Sequence, residues 1–166
     1  MLKIGITGHR YLKKEEIIKY KFEVHQQLKI LKQQYNEIII YSSLADGADR
    51  LLVHAAIKKN IDFIVVLPMK KDIYREDFNK HSKDEFDDLI KKTKQLIVMD
   101  IPINTKFNKN IQYELASNFI SNKCDILFAL WDGTYNGLQG GTSETVKYHL
   151  SRNKKLWHLK VDRNGI

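Results

Sequence analysis

The chain has 166 residues, of which 43% are hydrophobic, with a formal net charge of +8 and one cysteine. This length suits one domain with a buried core, and a lone cysteine, Cys124, excludes an internal disulfide and a metal site built from several thiolates. Because no apolar stretch reaches the length of a membrane span and the N-terminus lacks a signal-peptide core, we expect a cytoplasmic protein without a membrane partner.

The period of the apolar residues predicts alternating strands and helices. Strands are predicted at 2–7, 37–42, 62–67, 95–100, 124–131 and 155–160, and helices at 13–34, 47–59, 72–93, 109–122 and 142–152. Several strands are apolar without alternation, as expected when both faces of a sheet are covered. The order therefore predicts an α/β fold in one domain over 1–166, a three-layer Rossmann-like sandwich with a mainly parallel central sheet.

Ligands of an open parallel sheet collect beyond the carboxyl ends of its strands, so the loops that follow the strands are the candidate site. The first loop is Thr7-Gly8-His9-Arg10. Gly8 permits a tight turn, and Arg10 offers a forked donor for phosphate or carboxylate. His9 is a candidate proton carrier or hydrogen-bond donor. The alternatives are a histidine packed under the next helix and an arginine in a surface salt bridge.

The second loop joins the second strand to the next helix and combines small residues with two carboxylates. Ser42, Ser43 and Gly47 suit contact with phosphate or ribose. Asp46 and Asp49 are candidate acceptors for sugar hydroxyls. As an alternative, either aspartate caps the helix that follows.

The glycine-rich loop after the fifth strand leads directly into a helix pattern. Gly140 and Gly141 let the backbone approach a ligand closely, and Thr142 and Ser143 add hydroxyl groups beside the free N–H groups of the first helical turn. Phosphate is the predicted occupant. Alternatively, Thr142 or Ser143 is simply the N-cap, with Glu144 favourable in the first turn.

Two residues at the entrance of this loop are further candidates. Trp131 is a candidate for stacking on a base or for packing at the edge of the core, and Asp132 for holding a ribose or orienting a donor. The segment 67–78 is a weakly indicated lid, and Tyr113 reaches the site only if its helix starts nearby. Since no histidines stand at metal-ligand spacing, we predict neither a metal nor a cofactor.

Three separated motifs together resemble one superfamily. Residues 7–10 look like the TGHR opening of YpsA-like proteins, and 42–49, continued by 54–56, are similar to the SGLARGID and AHxAAL pattern of DNA-processing A proteins. Residues 140–144 resemble a GGT phosphate loop. The chain therefore resembles the SLOG superfamily, a Rossmann-like group that also includes the Lonely Guy phosphoribohydrolases.

This resemblance implies a nucleotide-derived ligand, with its phosphate at the GGT loop and its sugar and base toward the first two loops. Some members cleave an N-glycosidic bond, in which case Glu144 or Asp132 would stabilise the sugar cation or activate water, Arg10 would hold phosphate and His9 would assist the leaving base. Glu144 follows Thr142 by two residues where the Lonely Guy enzymes have three, which turns the carboxylate by about 100° around the helix.

Other functions remain as alternatives at this stage. The basic balance and the DNA-processing A motif are compatible with a nucleic-acid-binding module, which we do not favour because the lysines are scattered over helical segments. A nucleoside deoxyribosyltransferase-like enzyme shares a similar GTxxE tail. The superfamily also permits a receptor for a signalling nucleotide in bacterial or phage defence, and a homodimer.

Overall fold

The computed structural model of the chain describes residues 1–99 and 109–164. Its strands are Leu2–Gly8 (β1), Ile38–Ser42 (β2), Asp62–Leu67 (β3), Gln95–Val98 (β4), Ile126–Trp131 (β5) and Lys155–Lys160 (β6). Its helices are Lys14–Gln34 (α1), Ala48–Ile57 (α2), Lys71–Arg75 (α3), Lys80–Ile90 (α4), Lys109–Lys123 (α5) and Thr142–Ser151 (α6). The predicted alternation of strands and helices is confirmed.

The six strands form one parallel sheet in the order β4-β3-β2-β1-β5-β6. In register, Ile4 of β1 lies between Ile40 of β2 and Ile126 of β5. Strands β1 to β4 are added in chain order toward one edge, whereas β5 returns to the other side of β1. The strand order therefore reverses between β1 and β5, and a crevice is expected beyond the carboxyl ends of these two strands.

Helices cover both faces of the sheet, which confirms the predicted three layers. On one face, Leu28 of α1 packs in the same cluster as Ile40 of β2. On the other face, Ile120 of α5 packs with Ile39, and Val146 of α6 packs against β5. Because Ile39 and Ile40 are consecutive, their side chains point to opposite faces and both are buried. This double burial explains why the predicted strands are apolar throughout.

The helix predicted over 72–93 is two helices, α3 and α4, separated by a short connection. The Asn79 side chain accepts a hydrogen bond from the Ser82 N–H at 3.0 Å and so caps α4. The break lets three aromatic rings meet, with ring centres 5.0 Å apart for Tyr74 and Phe78 and 5.1 Å apart for Phe78 and Phe86. Asparagine is among the preferred N-cap residues, so a local signal competed with the apolar period here.

Helix α1 has the most residues of the described helices and buries one stripe of its surface. The buried residues Tyr20, Val24, Leu28 and Leu31 follow one another at helical spacing. Charged residues occupy much of the remaining surface. Across residues 1–99 and 109–164, no helix combines the length and the apolar character needed to cross a lipid bilayer.

Candidate functional site

A cleft of about 470 Å³ opens beyond the carboxyl ends of β1 and β5. This volume lies within the range of small-molecule sites. The residues that form its walls include Thr7, Gly8, His9, Arg10, Ser43, Asp49, Tyr74, Asp77, Asn110, Tyr113, Trp131, Asn136, Gly140, Gly141, Thr142, Ser143 and Arg163. The crevice expected from the strand order is therefore present, and it joins three of the predicted loops.

The first loop is fixed against its neighbours by backbone hydrogen bonds. The His9 N–H donates to the Leu130 carbonyl at 3.0 Å, and the Ala48 N–H donates to the His9 carbonyl at 3.2 Å. Gly47 has a φ of 77°, and a Cβ at this position would lie 2.3 Å from the Arg10 carbonyl oxygen. Gly47, a predicted ligand contact, is thus packed against the first loop and is not among the described residues that line the cleft.

Arg10 presents its guanidinium group to the cleft beside an acidic and an aromatic side chain. One terminal nitrogen lies 3.8 Å from the Asp77 carboxylate, and the guanidinium carbon lies 5.6 Å from the centre of the Tyr113 ring. Burial lowers the pKa of Arg10, but Tyr74, Tyr113 and Asp77 outweigh burial and raise it. Because 3.8 Å exceeds hydrogen-bond distance, Asp77 attracts Arg10 without forming a bidentate pair with it.

Asp77 lines the cleft although no motif in the sequence marks it. Its carboxylate accepts hydrogen bonds from the Tyr113 hydroxyl and, at 2.6 Å, from Lys109 Nζ. Burial and the bond to Asp77 raise the pKa of Tyr113 to about 12, so the phenol keeps its proton at neutral pH. Three residues of the segment 67–78, which was predicted as a lid, line the cleft: Pro68, Tyr74 and Asp77. The signal available in the sequence was a carboxylate in the segment that follows a central strand.

The second loop is organised around the buried Asp49 carboxylate. Its Oδ2 accepts hydrogen bonds from the Ser42 hydroxyl at 2.8 Å and from the Ser43 N–H at 2.9 Å. Burial raises the pKa of Asp49 to about 6, although these bonds act in the opposite direction. Ser43 and Asp49 line the cleft, whereas Ser42 is fully buried behind them. Asp49 therefore holds the loop in shape from the first turn of α2.

Asp46 points away from the cleft into a cluster around the buried Arg50. Its Oδ1 lies 3.1 Å from Arg50, and it accepts a hydrogen bond from the Ser82 hydroxyl. Arg50 also contacts Glu85 at 2.7 Å and donates to the Leu44 carbonyl at 3.1 Å. This cluster ties the second loop and α2 to α4. Asp46, predicted as a sugar contact, is accordingly absent from the described walls of the cleft.

The glycine-rich loop packs on α5 before it enters α6. Gly140 has a φ of 74°, and a Cβ at this position would lie 2.7 Å from both the Asn110 carbonyl oxygen and the Tyr113 Cβ. Gly141 occupies the N-cap position, and no side chain in the described part of the chain caps the helix. Neither Thr142 nor Ser143 is thus the N-cap, and the first-turn N–H groups of α6 lie at the cleft wall.

Glu144 lies in a separate groove between α5 and α6. This groove is lined by Glu114, Lys147 and Tyr148, and Glu144 Oε2 lies 3.9 Å from Lys147 Nζ. Each residue turns a helix by about 100°, so Glu144 faces away from the wall formed by Thr142. The fold therefore does not bring this predicted catalytic carboxylate to Arg10 or His9.

His9 is held between Asp132 and Arg163. Its Nε2 lies 3.4 Å from the Asp132 carboxylate and 3.2 Å from the Asp132 N–H, and its Nδ1 lies 3.3 Å from an Arg163 nitrogen. Burial and Arg163 lower the pKa of His9 against the opposing effect of Asp132. The arrangement suits a neutral imidazole whose Nε2–H points toward the Asp132 carboxylate and whose Nδ1 accepts from Arg163. Asp132 itself lies in a neighbouring groove with Lys160.

Trp131 closes the inner end of the cleft but is only 3% exposed. Its ring packs edge-on against Tyr135 at 4.9 Å between ring centres and lies 5.3 Å from His158. This packing corresponds to the core-edge alternative. As for metals, the described residues bring no three histidine, cysteine, aspartate or glutamate side chains together as a possible site.

Arg163 was not selected from the sequence. It follows β6 and reaches across the end of β5 to His9. Applying the carboxyl-end rule to the sixth strand would have indicated residues 161–164, but no glycine or motif marks them. The contact links positions 9 and 163, so only folding brings them together.

No protein-family model matches the sequence, and no curated protein matches it. Among solved structures, DNA processing protein A from Streptococcus pneumoniae is similar over 99% of this chain, with a TM-score of 0.70 and 17% identity. DNA processing protein A from Helicobacter pylori, described for its single-stranded DNA binding mode, is similar over 98%, with a TM-score of 0.64 and 16% identity.

A third similar structure is the molybdenum cofactor carrier protein from Chlamydomonas reinhardtii, with a TM-score of 0.58 and 15% identity over 97% of this chain. The chain spans 52% of the S. pneumoniae protein, 67% of the H. pylori protein and 78% of the carrier protein. At identities of 15–17% the similarity extends to the fold. The chain therefore has a Rossmann-like fold, as the resemblance of its three motifs to the SLOG superfamily predicts.

Proposed function

We propose that the cleft binds a nucleotide or nucleotide-derived small molecule whose phosphate contacts the first turn of α6 and Arg10. One observation carries the proposal: the uncapped N-terminus of α6 and the Arg10 guanidinium line the same cavity of about 470 Å³. A helix N-terminus offers N–H donors and partial positive charge, and a guanidinium offers a planar fork of donors. Both groups suit phosphate.

The neighbouring polar groups support a ligand that also carries a sugar. The Asp77 carboxylate and the Tyr113 hydroxyl lie beside Arg10, and Ser43 lies on the wall formed by the second loop. Carboxylates and hydroxyls are acceptors for the hydroxyl groups of ribose. The Ser143 hydroxyl is engaged by Asn136 at 2.8 Å, so this serine contributes its N–H group and not its hydroxyl.

The same site serves two modes of action. A sensor would bind and release its ligand unchanged. A hydrolase would cleave the N-glycosidic bond: water adds to the anomeric carbon, the C–N bond breaks, and the base leaves with a proton. For this step we propose Asp77 as the carboxylate that stabilises the sugar cation and neutral His9 as the proton carrier, with Asp132 orienting His9. Glu144 has no part in this scheme because it lies in the groove between α5 and α6.

A thermal-shift screen of the purified chain tests the proposal. The compounds are nucleoside mono-, di- and triphosphates, cyclic nucleotides, NAD and ADP-ribose, and each mixture is afterwards analysed for released base. We expect at least one nucleotide to raise the Tm, since a ligand that binds the native state stabilises it. Released base would identify the hydrolase, and stabilisation without released base the sensor.

The variant Arg10→Ala tests the proposed contact between Arg10 and phosphate. Loss of a charged donor to phosphate is expected to weaken binding about 10- to 100-fold. Arg152→Ala is the matched control, because Arg152 is exposed and lies beyond the end of α6. The proposal fails if no nucleotide stabilises the wild type, or if Arg10→Ala binds the stabilising nucleotide as tightly as Arg152→Ala does.

Single-stranded DNA binding of the DNA-processing A type is the second candidate. It is favoured by the similarity to two DNA processing A proteins, one of them described as binding single-stranded DNA, and by the formal charge of +8. The chain covers about half of the first of these proteins, so any shared activity is a hypothesis. This candidate predicts tight oligonucleotide binding with steep salt dependence and little affinity for free mononucleotides.

A further inference from the structure

Arg163 brings a second guanidinium group to the cleft. Its terminal nitrogen contacts His9 Nδ1 at 3.3 Å. Its Nε is buried and has no hydrogen-bond partner within the described ranges. The Asp132 carboxylate shares a groove with Arg163 and interacts with its charge, but the described residues show no hydrogen bond between the two. A guanidinium group beside a neutral ring, with a buried N–H donor that forms no hydrogen bond, costs free energy unless another group supplies the missing interaction.

The segment that carries Arg163 is held on both sides. The Val161 N–H donates to the Trp131 carbonyl at 3.1 Å, which continues the pairing of β5 and β6 past the strand ends. Asp162 accepts hydrogen bonds from Lys13 Nζ and from the Asn164 N–H, both at 2.9 Å. The backbone on each side of Arg163 is therefore anchored, and the orientation of its side chain toward His9 follows from the fold.

The two arginines approach the cleft from different sides. Arg10 packs on Tyr113 of α5 and faces Asp77. Arg163 lies at the end of β6, where it also borders the groove that contains Glu16 of α1. His9 stands between them, adjacent to Arg10 in the chain and in contact with Arg163. A ligand that spans the cleft would meet one guanidinium group on each side of His9.

We propose that Arg163 is a second anion-binding residue of this cleft, so that the site selects a nucleotide with two phosphate groups over one with a single phosphate. One phosphate would contact the first turn of α6 and Arg10, and the other would contact the terminal N–H groups of Arg163, which lines the same cleft. This inference rests on the function proposed above. Guanidinium groups bind phosphate through parallel N–H donors, and the terminal nitrogens of Arg163 carry such donors.

Binding at Arg163 has a consequence for His9. The charge of Arg163 contributes to the lowered pKa of His9, and its guanidinium donates to Nδ1. A phosphate that engages Arg163 would neutralise this charge and free Nδ1. The pKa of His9 should therefore rise more when pyrophosphate binds than when phosphate binds, and Arg163→Ala should remove that difference.

Isothermal titration calorimetry tests whether the cleft binds nucleotides with two phosphate groups more tightly than those with one. The probes are inorganic phosphate and pyrophosphate, the mono- and diphosphates of adenosine, guanosine, cytidine and uridine, and adenosine 3′,5′-bisphosphate. The wild type should bind diphosphates about 10- to 100-fold more tightly than the matching monophosphates. The bisphosphate distinguishes adjacent phosphates from separated ones, because it carries its two groups on opposite sides of the ribose.

Arg163→Ala should remove this preference while changing monophosphate affinity less than about twofold, and Arg152→Ala should retain it. Arg163→Gln, which is uncharged and keeps one amide donor on a shorter side chain, replaces the alanine variant if that variant is unstable. NMR titration of His9 in the wild type and in Arg163→Ala, with phosphate and with pyrophosphate, is the independent measurement.

Equal wild-type affinity for mono- and diphosphates would overturn the inference and leave the proposed function standing. So would an equal loss of both affinities in Arg163→Ala, or a His9 pKa that pyrophosphate raises no more than phosphate does. Failure of every probe to bind the wild type would instead contradict the proposed function itself.

Discussion

Asp49, Asp46 and Gly47 all stand in a loop that suggests ligand contact, yet each makes its closest contacts with the protein. Asp49 bonds to Ser42 and Ser43, Asp46 bonds to the Arg50 cluster, and Gly47 packs on the first loop. Polar side chains near a cleft thus stabilise the loops that form its walls. The residue types predicted that this loop borders the site, whereas the direction of each side chain depended on the backbone around it.

Asp49→Asn tests this structural role through pH. Because burial raises the folded-state pKa of Asp49 from 3.8 to about 6, the folded state binds its proton more tightly than the unfolded state does. The contribution of Asp49 to the free energy of unfolding is therefore full below about pH 4 and is lost as the pH rises to about 6. Wild-type stability minus that of Asp49→Asn should fall by about 1–3 kcal/mol over this range.

Urea unfolding at intervals from pH 4 to pH 7 measures this difference. Asp84→Asn is the control, because Asp84 is an exposed aspartate on α4. Its stability curve should run parallel to that of the wild type. A wild-type advantage over Asp49→Asn that stays constant or grows with pH would show that Asp49 ionises normally in its loop.

Helix α6 connects the cleft to the far edge of the sheet. Its first turn lines the cleft, and its last turn is anchored by His149, which is fully buried. The His149 Nε2–H donates to the Lys155 carbonyl at 2.9 Å, and Nδ1 accepts from the Ser121 hydroxyl at 2.9 Å. One neutral imidazole therefore joins α5, α6 and the start of β6, and it anchors the helix whose first turn lines the cleft.

His149→Gln should destabilise the protein and change its response to acid. Burial, aided by Lys154, lowers the folded-state pKa of His149. The stability that His149 contributes is therefore present above about pH 6.5 and is lost as the pH falls through the lowered pKa. We expect a loss of about 1–3 kcal/mol at pH 8 and a shallower fall in stability below pH 6.5.

Chemical denaturation between pH 5 and pH 8 measures both effects. His81→Gln, at an exposed position on α4, is the matched control and should follow the wild-type curve. If His149→Gln retains the full acid sensitivity of the wild type, groups other than His149 cause that sensitivity.

For the molecule as a whole, the formal charge of +8 predicts general attraction to polyanions. Part of this charge is exposed and locally paired, as in the contacts of Lys94 with Asp62 at 2.7 Å and of Lys91 with Asp88 at 2.9 Å. Such pairs are screened by salt and contribute little to a specific site. The cleft and the general surface should therefore respond differently to ionic strength.

Fluorescence anisotropy measurements of oligodeoxythymidylate binding distinguish binding in the cleft from binding to the general surface. If DNA contacts only the general surface, its affinity should fall steeply between about 50 and 200 mM salt and should be the same for Arg10→Ala and the wild type. Nucleotide affinity should change little over this range and depend strongly on Arg10. Oligonucleotide binding that is lost in Arg10→Ala, together with little affinity for free mononucleotides, would favour the DNA-processing A alternative.

The apolar runs at 62–67 and 124–131 were sufficient to predict buried parallel strands, because a strand covered on both faces must be apolar at successive positions. The carboxyl-end rule, applied to the strands predicted at 2–7, 37–42 and 124–131, located the loops at 7–10, 42–49 and 140–144. Local chemistry thus determined the layers, the position of the cleft and the glycine-rich entry to α6. A local signal was also present at Asn79, although the longer apolar period concealed it.

Other features depended on contacts between distant parts of the chain. The contact of His9 with Arg163 joins the two ends of the molecule, and Asp77 enters the cleft because three aromatic rings turn the chain between α3 and α4. The direction of Glu144 was set by the residue at which α6 begins, since each residue rotates a helical side chain by about 100°. Side-chain direction and long-range proximity follow from packing, which no local pattern contains.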